Sequence, residues 1–347
     1  MLRYPNSPNV AAELVPLFRD GLQTSKVGPG QKVVVYADTF TLPTYPAAFL
    51  AAARDCGADA MQVIQPLLPV NFNQAIGRAK PTPMIIEAMK SADFVVDVST
   101  GGMLYSYEQE AILASGTRIL RVREPDDILF RLRPSSEVKD RALRGAARYR
   151  EAKQVRLVFE DGSILTMNRG DRQPVMQYGI ADDVGRWDHW GTGLICIAPM
   201  EESVNGTLVV SRGSILFPVE MYLTQDMHIH FKDGTITSID GGREAVVLRE
   251  YLDGQGDANA RRFSHVGWGL EKRARWETLA MRGWDNAGGV EARSVYGNIL
   301  VALGENGDLG GANNSKLHID ISIRHGRLEL DGVPVVDNGN FIARDLA

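Results

Sequence analysis

From Lys32 to Glu124 the chain repeats one alternation. "KVVVYAD" (32–38) is an apolar run of strand length, "PAAFLAAARDCGA" (46–58) has apolar residues at helical spacing and closes at Gly57, and "AMQVIQP" (60–66) is strand-like again. "PTPMIIEAMKSA" (81–92) opens a helix on proline and feeds "DFVVDVS" (93–99); "YEQEAILAS" and Gly116 then lead into "TRILRVRE" (117–124). Continuous apolar strands separated by helices need cover on both faces, which points to a parallel sheet flanked by helices. No glycine-rich dinucleotide fingerprint follows the first strand, where "YADTFTLPTY" stands, so a nicotinamide or flavin site is not indicated.

A polar helix over 135–154 follows, and then the pattern changes. Asp161-Gly162, Asp233-Gly234 and Asp331-Gly332 each join two strand-like runs. Asp-Gly suits the left-handed backbone of a two-residue hairpin turn. The second half therefore reads as mainly antiparallel sheet, with helices over "GREAVVLREYLDG" (242–254) and "EARSVYGNILVAL" (291–303). The expected architecture is an α/β domain with a parallel sheet, residues 1–153, followed by an α+β domain, residues 154–347.

Composition removes several function classes. A net charge of −5 without long runs of one sign leaves no footprint for nucleic acid or an anionic membrane. No window approaches the roughly 20 apolar residues of a membrane span. The start "MLRYPNSPNVAAELVPLF" lacks the apolar core of a signal peptide, so a cytoplasmic protein is expected. The two cysteines, Cys56 and Cys196, are too few and too far apart for a disulfide framework or a thiolate zinc site, and read as core packing.

Polar residues in apolar company are the ones that matter. In "LHIDI" (317–321), His318 and Asp320 stand two apart on an alternating strand and so share a face. Burying both calls for compensation, which either a divalent cation or a structural His–Asp hydrogen bond would provide. His265 lies in "FSHVGWGLEKRARW", whose glycines suggest a tightly packed loop, and a satisfied core histidine is the plain alternative there. His228 and His230 run into a Lys-Asp-Gly turn and His325 precedes a hairpin strand; all three read as surface residues. Together His265, His318 and Asp320 make two imidazoles and one carboxylate, the ligand set of non-haem Fe(II) sites, although zinc uses the same donors.

"GRWDHW" (185–190), "APMEESVNGTLV" (198–209), "SHVGWGLEKRARW" (264–276), "EARSVYGNIL" (291–300) and "LHIDI", in that order, resemble the 2,5-dihydroxypyridine 5,6-dioxygenase family. The likeness spans most of the chain and is strongest after residue 178. It implies a scaffold shared with the M29 metallo-aminopeptidases. Those peptidases hold two metals, but here Leu194, His265 and the apolar "GNILVALG" (297–304) fall where they carry further ligands. The resemblance thus implies one Fe(II) on His265, His318 and Asp320, with a small hydroxylated aromatic and O2 as reactants in an extradiol-like ring cleavage. It also implies a homo-oligomer.

The same resemblance suggests roles around the metal. His189, between Trp187 and Trp190, is the candidate proton-transfer residue, with an indole-packed structural histidine as the alternative. Arg293 and Arg186 are candidates for holding an anionic substrate oxygen, and each could instead be a surface or interface charge. Two positions depart from the family pattern: Tyr105 replaces a histidine and Gln177 a glutamate, both on the substrate side. A hydroxylated aromatic other than 2,5-dihydroxypyridine therefore stays open, as do a hydrolase on the same scaffold and a non-catalytic binding protein. Gly101-Gly102 beside Met103 reads as a lid loop.

Overall fold

The computed structural model describes residues 8–66, 81–103, 106–217, 221–282 and 289–346. The early alternation folds as expected: α1 (Pro8–Thr24), β1 (Lys32–Asp38), α2 (Thr44–Asp55), β2 (Asp59–Gln65), α3 (Pro83–Lys90), β3 (Phe94–Asp97), α4 (Tyr107–Ala114) and β4 (Arg118–Arg121). Helices α5 (Asp126–Arg131) and α6 (Ser136–Glu151) follow. Next come β5 (Gln154–Val158), β6 (Ile164–Asn168), β7 (Val175–Gln177), β8 (Trp187–His189), β9 (Leu194–Ile197) and β10 (Asn205–Val210). Then β11 (Ile215–Leu216), β12 (Met221–Tyr222), β13 (Met227–Lys232), β14 (Thr235–Asp240), α7 (Arg243–Gly254) and β15 (Phe263–Gly269). The chain ends with α8 (Thr278–Arg282), α9 (Val290–Ser294), β16 (Ile299–Gly304), β17 (His318–Ile323), β18 (Arg327–Leu330), β19 (Val333–Asp337) and β20 (Asn340–Phe341).

The described residues fall into two compact units. The first takes Met1–Ser135 and Tyr178–Thr192; the second takes Ser136–Gln177, Gly193–Asp285 and Gly289–Ala347. The chain thus crosses between units more often than a single boundary at residue 153 would allow. Helix α6 packs within the second unit, and Tyr178–Thr192 returns to the first because β8 pairs with β4.

The first unit is a five-stranded sheet in the order β2-β1-β3-β4-β8, parallel throughout. One face packs Phe18, Phe49 and Trp190; the other packs Val34, Tyr36, Ile85, Met89 and Ile112. Both faces are packed over β1, β3 and β4, as the apolar strand runs require, while the edge strand β2 stays partly exposed.

The second unit holds an eight-stranded sheet, β14-β13-β10-β6-β5-β18-β19-β20, and a seven-stranded sheet, β12-β11-β17-β16-β15-β9-β7. The β13–β14 and β18–β19 hairpins turn on Asp233-Gly234 and Asp331-Gly332, all four at positive φ (49°, 73°, 50° and 80°), as the Asp-Gly pairs predict. On one face of the seven-stranded sheet Tyr149 of α6 stacks on Trp268, with ring centroids 4.6 Å apart, and its hydroxyl donates to the Val266 carbonyl. Ala142, Gly145 and Ala146 allow this close approach.

The helix expected over 291–303 is only its first turn, α9. "ILVALG" is the buried central strand β16. A short apolar run fits a buried strand and a buried helix equally, and the pairing with β15 and β17 decides it.

Candidate metal centre

The face of the seven-stranded sheet opposite α6 carries the polar residues. Alternation on β17 turns Ile319, Ile321 and Ile323 toward the core, and His318 and Asp320 the other way. His265 is in strand β15, not in the loop expected from its glycine neighbours. It reaches the same face through an irregularity in register. Phe263 pairs with Leu303 and Val266 with Val301, so Ser264 and His265 together stand against the single residue Ala302. An extra residue on one strand is a β-bulge, which re-aims a side chain out of the pleat.

Asp320 also pairs with Ala302, from the other side. His265 and Asp320 thus lie two strands apart, about 9–10 Å at the backbone. They meet above β16 because a methyl group is all that stands between them. The glycines Gly304, opposite His318, and Gly267, opposite Cys196, keep the surrounding surface low. A Cβ on Gly267 would lie 1.9 Å from the Ile195 carbonyl oxygen, so only glycine fits there.

Three donor atoms converge. His265 Nε2 is 3.2 Å, and His318 Nε2 3.3 Å, from Asp320 Oδ1. Among the described residues this is the one group of three or more such side chains whose ligand atoms lie within 4.8 Å of one another. The His318 Nδ1 lies 2.8 Å from the Glu305 carbonyl oxygen, so that nitrogen carries the proton and Nε2 presents its lone pair inward. A lone pair aimed at a carboxylate oxygen is repulsive unless a proton or a cation lies between them. His265 Nδ1 is buried without a hydrogen-bond partner among the described residues, a sign that this ring is placed for what its Nε2 faces. Metal–ligand bonds of about 2.1 Å at right angles put neighbouring donors about 3 Å apart, close to the spacing seen. The residues present therefore fit a single divalent cation.

The electrostatics fit as well. Burial alone would raise the Asp320 pKa, but the Arg293 and His318 charges and the imidazole hydrogen bonds hold it well below the ordinary carboxylate range. Burial pushes His265 down, against the pull of Asp320. For His318 burial acts downward too, but Asp320 and the Glu305 carbonyl outweigh it and the net shift is upward. Cys196, on the same face, is pushed up by burial and by Asp320, so its thiol stays protonated.

The remaining candidates fall in different places. Arg293 does not stand open to solvent: its Nε lies 2.6 Å from Asp320 Oδ2 and its guanidinium stacks 3.9 Å from the Phe217 ring centroid. Gln177, on β7, is half-buried and shares the triad's sheet face by register: Gln177 pairs with Leu194, and Val175 with Cys196. His189 and Arg186 belong to the first unit. The His189 N–H donates to Asp188 Oδ1 at 2.7 Å, and its Nδ1 is 3.3 Å from the Trp190 carbonyl. Arg186 is turned inward onto Asp188 Oδ2 (2.6 Å) and the Ile180 carbonyl, and lies over the Tyr178 ring. Tyr105 lies outside the described residues. The loop at Gly101-Gly102 is tied down rather than loose, since Asp38 Oδ2 accepts the N–H groups of Thr100 and Gly101. The sequence reading did not anticipate the bulge, the Glu305 carbonyl or the Arg293–Asp320 pair. None of these has a local signature in the sequence, since the glycines beside Trp268 lie in the regularly paired part of β15.

A converging His-His-Asp set on a mainly antiparallel sheet, in a chain that also carries a parallel α/β unit, defines a candidate mononuclear metal enzyme. A family profile for 2,5-dihydroxypyridine 5,6-dioxygenase matches residues 13–343. The 2,5-dihydroxypyridine 5,6-dioxygenase of Pseudomonas putida is 34% identical over 342 residues, covering 96% of this chain and 97% of that protein. The solved structure of 2,5-dihydroxypyridine dioxygenase from Pseudomonas putida superposes with a TM-score of 0.92 at 32% identity, over 97% of this chain and 99% of that one. AmpT from Thermus thermophilus superposes with a TM-score of 0.66 at 15% identity, over 96% and 99%, which shows the shared aminopeptidase-like scaffold alone. The chain belongs to the 2,5-dihydroxypyridine 5,6-dioxygenase family, a family of ring-cleaving dioxygenases.

Proposed function

We propose that this chain is a mononuclear Fe(II)-dependent, extradiol-like dioxygenase that opens the ring of 2,5-dihydroxypyridine or a close hydroxylated relative with O2. The observation that carries the reading is the convergence of two imidazole nitrogens on one carboxylate oxygen, at 3.2 and 3.3 Å. His265, His318 and Asp320 would hold the iron, three donors on one side of it. Fe(II) supplies the one-electron chemistry that allows O2 to react with a closed-shell ring.

The chain's own residues do the rest. Arg293 keeps Asp320 ionised and points one of its oxygens at the two histidines. The Glu305 carbonyl holds the His318 ring in one orientation. Leu194, Cys196, Ala198, Leu300 and Leu309 form an apolar wall that keeps water from the same sheet face. Gln177 offers a neutral amide to a ring hydroxyl or ring nitrogen. His189 takes the proton-transfer role, and Tyr105 serves as a hydrogen-bond donor, since a phenol of pKa near 10 is a poor base at neutral pH. Arg186 acts through Asp188 on the backbone of His189 rather than on the substrate. A cytoplasmic homo-oligomer is part of the same proposal.

The test is oxygen uptake by anaerobically purified, Fe(II)-loaded protein across a panel of hydroxylated pyridines, hydroxylated benzoates and peptides. Uptake with a hydroxypyridine, lost in His318→Ala and Asp320→Ala, is expected. Peptide hydrolysis with Zn that is indifferent to oxygen would replace the proposal with a hydrolase.

A further inference from the structure

We propose that Asp97 and Arg121 form a positioning pair for His189, holding both the flank of that imidazole and the loop Ser99–Met103; this deepens the reading of His189 as the proton-transfer residue and rests on it. The first unit's strands reach their carboxyl ends in register. Tyr36 pairs with Asp97, Asp97 with Arg121, and Arg121 with His189. In-register residues of neighbouring parallel strands point to the same side of a sheet, about 4.8 Å apart per strand. The residues two positions earlier confirm the side, since Val34, Val95, Ile119 and Trp187 all pack in one cluster with Ile85 and Met89.

A row of four polar side chains therefore runs along the carboxyl edge of the sheet, where open α/β folds place their ligands. All four are nearly buried: Tyr36 is 0% exposed, Asp97 2%, Arg121 5% and His189 7%. A buried ion pair adds little net stability over apolar residues of the same size, so its value lies in what it orients. Arg121 Nη1 lies 2.8 Å from Asp97 Oδ1. The Tyr36 hydroxyl, fully buried, has no hydrogen-bond partner among the described residues, so this edge holds more polar capacity than the fold itself consumes.

The pair also fastens the loop that leads to α4. Asp97 Oδ1 accepts the Ser99 N–H at 3.0 Å and its hydroxyl at 2.6 Å, while Arg121 donates to Ser99 Oγ at 3.2 Å and to the Thr100 carbonyl at 3.4 Å. Gly102, at φ 69°, lies flat on the guanidinium; a Cβ there would come within 2.9 Å of the Arg121 Cζ. One buried cation thus ties the loop to the strand beside His189.

The test is a double-mutant cycle on the Fe(II)-loaded enzyme with 2,5-dihydroxypyridine, comparing Arg121→Gln, Arg121→Lys, His189→Gln and the doubles. Arg121→Gln is expected to lower kcat by about 10-fold to 100-fold, the scale of a misplaced catalytic group, with KM and iron content little changed. Arg121→Lys should recover part of the loss. In the His189→Gln background Arg121→Gln should cost nothing further, a coupling that general loosening of the fold would not produce. Amide exchange across Ser99–Gly102 should quicken in Arg121→Gln. Losses that multiply in the double variant, or an unchanged kcat in Arg121→Gln, overturn the pairing while leaving His189 in its role. A wild-type kcat in His189→Gln alone would sink the reading of His189 itself. Should Arg121→Gln not fold, Arg121→Lys carries the same cycle.

Discussion

Arg293 grips Asp320 from outside the His265–His318–Asp320 cluster: its Nε sits 2.6 Å from Oδ2 and leaves Oδ1 to the two imidazoles. That contact helps Asp320 keep its charge under burial and aims its other oxygen inward. Arg293→Gln should therefore weaken metal binding by about 10-fold to 100-fold, the usual effect of removing a partner of a ligand. Competition with a chelator of known affinity measures it. An unchanged metal affinity would return Arg293 to the role of a substrate clamp.

Ala302 separates His265 from Asp320 across the central strand. A leucine there would fill the space in which the donors meet. Ala302→Leu is expected to abolish stoichiometric metal binding at a stability loss of about 1–3 kcal/mol, the range for overpacking. Metal analysis beside a denaturant melt checks both halves; full metal occupancy in the variant would show that the donors meet elsewhere.

Metal binding to the folded state alone stabilises it by mass action, about 2.7 kcal/mol when free metal is 100 times its dissociation constant. Chelation should lower the Tm of the wild-type protein and leave that of His318→Ala almost unmoved. Equal shifts in both proteins would place the stabilising ion outside this site.

Acid should destabilise the second unit through Glu201. Burial would raise its pKa, but the Ala312 N–H, Arg172 and Asn306 outweigh it and the net shift is downward. Because the folded value is depressed, the stabilisation is present above the unfolded pKa of about 4.3 and is lost as pH falls through the folded value. Denaturant melts between pH 7 and pH 3 should show a shallower acid decline in Glu201→Gln than in wild type. Parallel declines would remove Glu201 from the account.

Much of this protein was legible one residue at a time. The parallel sheet followed from apolar runs of strand length between helical patterns, and the hairpins from Asp-Gly pairs, of which Asp233-Gly234 and Asp331-Gly332 turn with both residues at positive φ while at Asp161-Gly162 only the glycine does. The shared face of His318 and Asp320 followed from period-two alternation, because pleat geometry is a local property of the chain. Long-range pairing was not legible. "ILVALG" became a strand because two partners flank it, and Tyr178–Thr192 rejoined the first unit because β8 adds to β4.

The sequence by itself determined which side chains could serve as ligands and which strand carries two of them. Only the tertiary structure decided that they meet. His265 faces Asp320 because two residues of β15 share one partner on β16, and Arg293 turns to Asp320 from a short helix 27 positions away. Register and bulges are set by the sum of contacts along whole strands, so no local run of residues encodes them.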